Sequence, residues 1–423
     1  MHQVLSSAWA LLLGMGMLMI GNGLQGTLLG VRGEIEGFST FQMSVVMSAY
    51  FLGFLGGSRM APEMIRRVGH VRVFAALASF ISAVMILYPT FAHPIAWALG
   101  RVVIGFCFSG VYVTAESWLN NASNNENRGK ALSLYMIVQM AGIVVAQAMM
   151  LLGDPAGYDT FVLASVLVSI SFAPILLSIS PTPAFATTKP MSLKKLMQTS
   201  PLGCVGMFLM GGVFAAQFGM SAVYGARVGL TVAEISGFVA TFYVGAVLLQ
   251  YPLGWLSDRM DRRILILLVA AGGGFGAVLG MALGGVYGFL LVAAFVIGGM
   301  TNPLYSLLIA YTNDYLEHDD MAAASGGLIF INGLGAVAGP LVTGWLMGDD
   351  VFGAPGFFLV MAALLFLLAA YALYRMTQRP SVPVEETGTY APMSPSSTPV
   401  AVEVAQEYAI EAEQDAQDDA EAA

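Results

Sequence analysis

The chain has 423 residues, 57% of them hydrophobic and only 10% charged, with 49 glycines and 26 methionines and a mean hydropathy of +0.76. A soluble protein of this length covers its surface with charge, so a water-soluble globule is excluded and the chain belongs in a lipid bilayer. The net charge of -9 is local: ten of the 26 acids, from Glu385 to Glu421, follow the last arginine, Arg379, and the other 16 nearly balance the 17 lysines and arginines.

The first element, MHQVLSSAWALLLGMGMLMIGNGLQG, has no basic leader and too long an apolar run for a cleaved signal, so it is expected to be a retained first span. Apolar segments long enough to cross the hydrocarbon core follow in order. The predicted spans are 4–30, 41–62, 73–92, 94–118, 130–152, 160–180, 201–224, 234–256, 264–284, 286–312, 321–346 and 356–376. Twelve spans return the chain to the side on which it started. With the N-terminus inside, fourteen lysines and arginines fall on the cytoplasmic side, Arg32 and Arg227 fall outside and Arg101 is buried. Loop charge of that asymmetry orients a membrane protein, so both termini are expected in the cytoplasm. Cys107 and Cys204 lie in apolar runs, which predicts two buried thiols and no disulfide framework.

The segment 181–200 is the one long polar interruption, and it separates six spans from six. Shifting the chain by 192 residues lays GLQGTLLGVRGEIEGFSTFQMSVVMSAYFLGF, without a gap, on AAQFGMSAVYGARVGLTVAEISGFVATFYVGA. Gln25 then meets Gln217, Gly37 meets Gly229, Gly53 meets Gly245 and Arg67 meets Arg259. A register shared across a loop and both flanking spans predicts two structural repeats. The expected organisation is a six-helix bundle at 1–180, a cytoplasmic central loop at 181–200, a second bundle at 201–379 and a disordered acidic cytoplasmic tail at 380–423.

The turn between spans 8 and 9 reads YPLGWLSDRMDRR, with Gly254, Asp258, Arg259, Asp261, Arg262 and Arg263. It resembles the GxxxDRxGRR signature of the major facilitator superfamily, with Asp261 where the family usually has glycine. The first-half counterpart, PEMIRRVGHVR, keeps Arg67, Gly69 and Arg72. Span 4, LGRVVIGFCFSGVYVTAESWLNN, carries Arg101 and Gly105 in the family's RxxxG pattern. Glu116 and the pair Arg128-Gly129 are similar to the family's acid and RG flanking the next turn. The glycine-proline motif of the family's antiporters is absent from span 5, and a similar one, GLGAVAGPLVTG, stands in span 11. The resemblance covers residues 1 to about 380 and reaches closest to bacterial permeases with an ESWLN-like fourth span.

The resemblance implies an all-α membrane protein of twelve transmembrane helices in two six-helix repeats, rocking about a central site. It implies a secondary transporter of a small polar solute, in a bacterial inner membrane, working as a monomer with a proton or another ion as coupling partner. Arg101, the only basic residue deep inside a predicted span rather than at its end, is costly there without a partner or a polar cavity, and its guanidinium suits an anionic solute. With Arg101, Gln25, Gln139, Gln217, Tyr243, Asn302 and Asn332 are the candidate solute-binding residues. Gating is expected of Arg67, Glu116, Arg128, Gly254, Asp258, Arg259 and Arg262, with Glu116 paired to Arg67 or Arg128. Gly254 is expected to let neighbouring helices approach closely. No phosphate-binding loop, metal cluster, nucleophile and base pair or nucleic-acid-type basic patch is present in the sequence, so no cofactor, no nucleic-acid partner and no enzymatic activity are expected. Two rivals are proton-driven efflux of amphipathic drugs and a non-transporting sensor or scaffold built on the same fold.

Overall fold

The computed structural model describes residues 2–122, 125–177, 191–402 and 405, and among them there is no β-strand. With no water in the hydrocarbon to receive backbone N–H and C=O groups, helices satisfy them internally. The first half contains α1 (His2–Ile35), α2 (Thr40–Val68), α3 (His70–Thr90), α4 (Pro94–Ala122), α5 (Asn125–Met149), α6 (Asp159–Ser171) and the short α7 (Ala173–Leu177). After α8 (Leu193–Thr199), the second half contains α9 (Pro201–Arg227), α10 (Val232–Ser257), α11 (Arg262–Leu283), α12 (Tyr287–Asn313), α13 (His318–Leu346) and α14 (Gly356–Met376). Twelve helices among the described residues are long and apolar enough to span a membrane. They match the twelve predicted spans, with ends shifted by a few residues in either direction; α2, for example, runs on to Val68 while α3 stops at Thr90. The central loop is not all irregular: Ser192 caps α8 by accepting from the Lys195 N–H.

The 192-residue register reappears in the backbone. Ser39 and Gln42 form a capping box at the start of α2, and Thr231 and Glu234 form the equivalent one at the start of α10. Each satisfies two orphan N–H groups of a helix start. The turns before them close through Gly37 at φ 71° and Gly229 at φ 76°, a left-handed backbone that glycine adopts without steric cost. Next, α2 crosses α4 where a Cβ on Gly105 would stand 1.9 Å from the Tyr50 carbonyl oxygen. In the second half α10 crosses α12 where a Cβ on Gly298 would stand 2.1 Å from the Phe242 oxygen. Packing, rather than hydrophobic exclusion, holds helices together in lipid, and small residues permit it.

The repeats diverge at one turn. Gly69, at φ 86°, separates α2 from α3, whereas its register partner Asp261 sits at φ -54° and caps α11. Asp261 accepts from the Arg263 N–H at 2.9 Å and from its guanidinium at 2.8 Å. The turn is therefore made by capping where the first half makes it with glycine.

The halves are sealed at the end that carries Gly37 and Gly229. There Gly30 backs onto Ala222, Gly344 onto Ser44, and Arg227 donates to Thr40 and pairs with Asp349. Deeper in, Ser48 Oγ donates to the Val337 carbonyl at 2.6 Å. At the opposite end a cavity opens between the halves beside α5 and α10, and the chain beyond α14 lies in it.

The expectation of a disordered tail from 380 fails for its first part. Tyr390, Met393, Ser394, Ser397, Thr398, Ala401 and Val402 are buried. The physical reason is compositional: between Glu386 and Glu403 the sequence TGTYAPMSPSSTPVAV has no charged residue, so entry into a protein interior carries no ionic desolvation cost. Residues 406–423, with most of the acids, lie outside the described part.

Candidate solute cavity and its gate

The central cavity is lined from both halves. Asn22, Gln139, Tyr243, Asn302 and Asn332 contribute amides and a phenol, Tyr50 and Tyr112 two further phenols, and Phe51, Phe54, Phe214 and Phe218 aromatic faces. None of the lining residues is charged. Phe214 and Phe218 stack with centroids 5.8 Å apart, Tyr50 lies 5.9 Å from Phe218, and Phe54 lies 6.0 Å from Tyr112. The rings thus form a continuous wall across the two halves. Asn22 Nδ2 donates to Tyr112 Oη at 3.3 Å, while Asn22 Oδ1 is buried without a hydrogen-bond partner. Asn332 Nδ2 is fixed by the Met207 carbonyl at 3.0 Å.

Of the seven predicted solute-binding residues, Gln139, Tyr243, Asn302 and Asn332 line this cavity, and Gln25, Arg101 and Gln217 do not. Arg101 is fully buried behind Tyr50. Its Nη1 donates to Gln25 Oε1 at 3.0 Å, Nη2 meets Met47 Sδ at 3.5 Å, and the guanidinium carbon sits 4.6 Å from the Tyr50 ring centroid. A π face and an amide oxygen take the role expected of a solute anion, because both can compensate a desolvated cation. Gln25 is spent on Arg101 and on Tyr88, and Gln217 accepts from Thr301 Oγ1 at 3.0 Å.

The five aromatic residues Tyr50, Phe51, Phe54, Phe214 and Phe218 were missed by sequence reasoning, which sought polar groups. The repeat offered a signal for two of them: Tyr50 and Phe242 share a register position, as do Phe51 and Tyr243. It does not distinguish a ring facing the cavity from one facing lipid.

The predicted gate residues separate into those that meet the tail and those that do not. Arg67 pairs with Glu63 on its own helix at 2.6 Å and is 74% exposed, so it does not reach Glu116. The Arg128 side chain lies outside the described residues. Glu116, 2% exposed, accepts hydrogen bonds from Tyr135 Oη at 3.4 Å and from the Thr398 backbone N–H at 3.2 Å and hydroxyl. Gly254 does not serve a helix crossing: a Cβ there would stand 2.6 Å from the Tyr390 ring, so it makes room for the tail. Asp258 Oδ1 accepts from the Tyr390 N–H at 2.9 Å. Arg262 is buried; it pairs with Asp314, donates to Ser257 Oγ at 3.1 Å and donates to the Gly388 carbonyl. Arg259 is held 4.2 Å over the Trp255 ring of its own helix. Cys107 and Cys204 are buried free thiols.

Two helical bundles in the same register, joined around a central cavity sealed at one end, define the class as a multi-pass membrane carrier. The sequence matches the Major Facilitator Superfamily model over residues 11–233 and again over 202–404, and the chain belongs to that superfamily of secondary transporters. It is 28% identical over 364 residues to the uncharacterized MFS-type transporter YcaD of Escherichia coli O6:K15:H31 (strain 536 / UPEC), covering 84% of this chain and 92% of the relative. With the YcaD protein of Salmonella arizonae it shares 26% over 347 residues, 81% and 88% of the two chains. The fold is similar to that of the nucleoside transporter NupG (D323A mutant), with a TM-score of 0.75, 13% identity, and 87% and 99% of the two chains covered. It is also similar to the inward-facing, unoccupied bacterial homolog of the human lysosomal transporter Spinster, with a TM-score of 0.65, 14% identity, and 97% and 98% covered.

Proposed function

We propose that this transporter moves a small, uncharged, hydrogen-bonding solute with a flat or apolar face, by alternating access of the central cavity. The observation that carries the reading is the cavity wall: rings and amides from both halves, no charged side chain, and an Asn22 Oδ1 left without a partner. An unpaired buried acceptor costs free energy that a donor on a bound solute would recover, and aromatic walls with a few placed polar groups suit such a ligand. Arg101 braces Tyr50 from behind and does not meet the solute, so the anionic solute expected from the sequence is not favoured. By the positive-inside rule, the end holding Asp258 faces the cytoplasm, which makes this form closed outside. A proton or another ion as the driving partner, action as a monomer and residence in a bacterial inner membrane belong to the same proposal.

The test is a thermal-shift screen of the purified protein against sugars, nucleosides, zwitterions, small organic anions and lipophilic cations. Stabilisation by an uncharged polar solute, weakened about tenfold in affinity by Asn22→Ala or Asn332→Ala, is the expected result; tenfold corresponds to about 1.4 kcal/mol, one hydrogen bond. Stabilisation by anions that disappears with Arg101→Gln would overturn it. The aromatic wall formed by Phe214 and Phe218 favours one second reading, efflux of amphipathic compounds, and stabilisation by lipophilic cations would place that reading first.

A further inference from the structure

We infer that the open end of the central cavity is a peptide-binding site, and that its occupant is the chain's own segment 388–402, which must leave before solute can pass. The inference rests on the transport reading for its consequence, but the seating of the peptide stands on contacts alone. The segment is anchored at four points, three in the second half and one in the first.

At the mouth, Gly388 is clamped between the members of an ion pair: its carbonyl accepts from Arg262, and its N–H donates to Asp314 Oδ1 at 3.3 Å. One turn deeper Tyr390 fills the space left by Gly254. Its N–H goes to Asp258 at 2.9 Å and its hydroxyl accepts from Gln250 Nε2, also at 2.9 Å. Below it, Met393 exchanges two backbone hydrogen bonds with Ser306 Oγ, at 2.9 and 3.1 Å. Across the cavity, Thr398 gives Glu116 of the first half both its N–H and its hydroxyl proton. The tail therefore ties α4 to α10, α11 and α12, on opposite sides of the interface that must open.

Composition agrees with that role. Sixteen consecutive uncharged residues, 387–402, enter an interior where an ion would be costly, and acids flank them on both sides at Glu386 and Glu403. Pro392, Pro395 and Pro399 restrict the free segment before it docks, which reduces the entropy lost on docking. Glu116 and Asp258, two of the positions expected to act in gating, each receive a backbone N–H group from the tail. Ser394, Pro395 and Ser396 reach the solute cavity and line it, and the space remaining there is about 50 Å³. Cavities that hold organic ligands run from about 300 Å³ upward, so a solute and the seated tail exclude one another.

The experiment uses the full-length protein in nanodiscs and two single-cysteine reporters, Ser397→Cys and Ser381→Cys, the native Cys107 and Cys204 being buried. Ser397 is buried and Ser381 exposed. A water-soluble maleimide should modify Ser397→Cys at least about tenfold more slowly than Ser381→Cys, and adding Gly254→Val, which pushes out the Tyr390 ring, should remove most of that protection. A second measurement inserts a protease site between Arg379 and Pro380 and cleaves the folded protein. A fluorescent synthetic peptide of residues 384–402 should then bind the cleaved, washed protein and not the uncut one. Equal modification rates at the two reporters, or peptide binding that ignores cleavage, would overturn the inference. Both readouts are independent of any solute, so a wrong solute class leaves them unaffected. If the tail seats as inferred, cleavage should raise solute flux into proteoliposomes at least about fivefold.

Discussion

Two charged residues carry most of what a single position can teach here. Arg101 announces itself in the sequence as a cation inside a span, but which group compensates it depends on three helices meeting, and no spacing encodes that Tyr50 and Gln25 arrive together. Arg101→Gln removes one charge-assisted hydrogen bond and a cation–π contact, and is expected to cost about 1–3 kcal/mol of stability, read as a lower unfolding temperature in detergent. Solute preference should not change, since the guanidinium is behind the cavity wall. Asp261 is the reverse case: the family signature has glycine there, and the sequence alone reads the acid as a departure. In the structure it is a helix cap, and its removal by Asp261→Ala should cost about 1 kcal/mol. Burial works to raise its carboxyl pKa, but the hydrogen bonds from Arg263 outweigh that and hold it below the ordinary carboxylate value. A depressed folded-state pKa stabilises above the unfolded value and is lost as the pH falls through the folded one. The stability difference between wild type and Asp261→Asn should therefore be full at pH 7 and shrink as the pH falls through and below the ordinary carboxylate range, as a pH series of thermal unfolding would measure.

At the scale of elements, the helices were legible because their hydrophobic runs are long and their ends carry caps. Ser39 with Gln42 and Thr231 with Glu234 stand 192 residues apart, as do Gly37 and Gly229, so the repeat seen as a sequence register is a repeat of turn chemistry. Gly37→Ala and Gly229→Ala should each cost about 1–2 kcal/mol, because the left-handed backbone penalises a Cβ by that amount. Similar losses in the two variants are the signature of the duplicated turn. Gly298→Ala acts differently, by driving a methyl into the Phe242 carbonyl. Overpacking of about 1–3 kcal/mol is expected, with an effect on transport as α10 and α12 are pushed apart. Unchanged unfolding of Gly298→Ala would mean the crossing is looser than the structure has it. What the elements hid was direction: which of Phe51, Phe214 or Phe275 faces cavity, neighbour or lipid is set by helix rotation. A uniformly apolar helix gives no amphipathic pattern from which to read it.

For the whole molecule, the sequence displayed the twelve spans and their pairing into halves, because bilayer thickness and internal duplication both leave periodic marks. It did not display the path of the chain after α14. A proline-rich uncharged stretch followed by acids reads as solvated by composition, and only the concave surface built by α4, α10 and α12 gives residues 388–402 a place to go. The same surface explains why Glu116, Asp258 and Arg262 belong together although they occupy different helices: each holds the tail. The molecule is thus seen closed at the Gly37 end, with its other end occupied. A carrier must also visit the opposite arrangement, in which the Arg227, Thr40 and Asp349 contacts are broken and the Asp258 end is shut. Pulsed dipolar spectroscopy in nanodiscs tests this most directly, with one spin-label pair at Ile35→Cys and Val228→Cys and another at Val68→Cys and Ile264→Cys, all exposed positions. Addition of the best stabilising solute should lengthen the first distance in a population that grows in step with one in which the second shortens. Two distances that stay single and fixed, with the solute bound, would contradict alternating access and leave a static membrane sensor in its place.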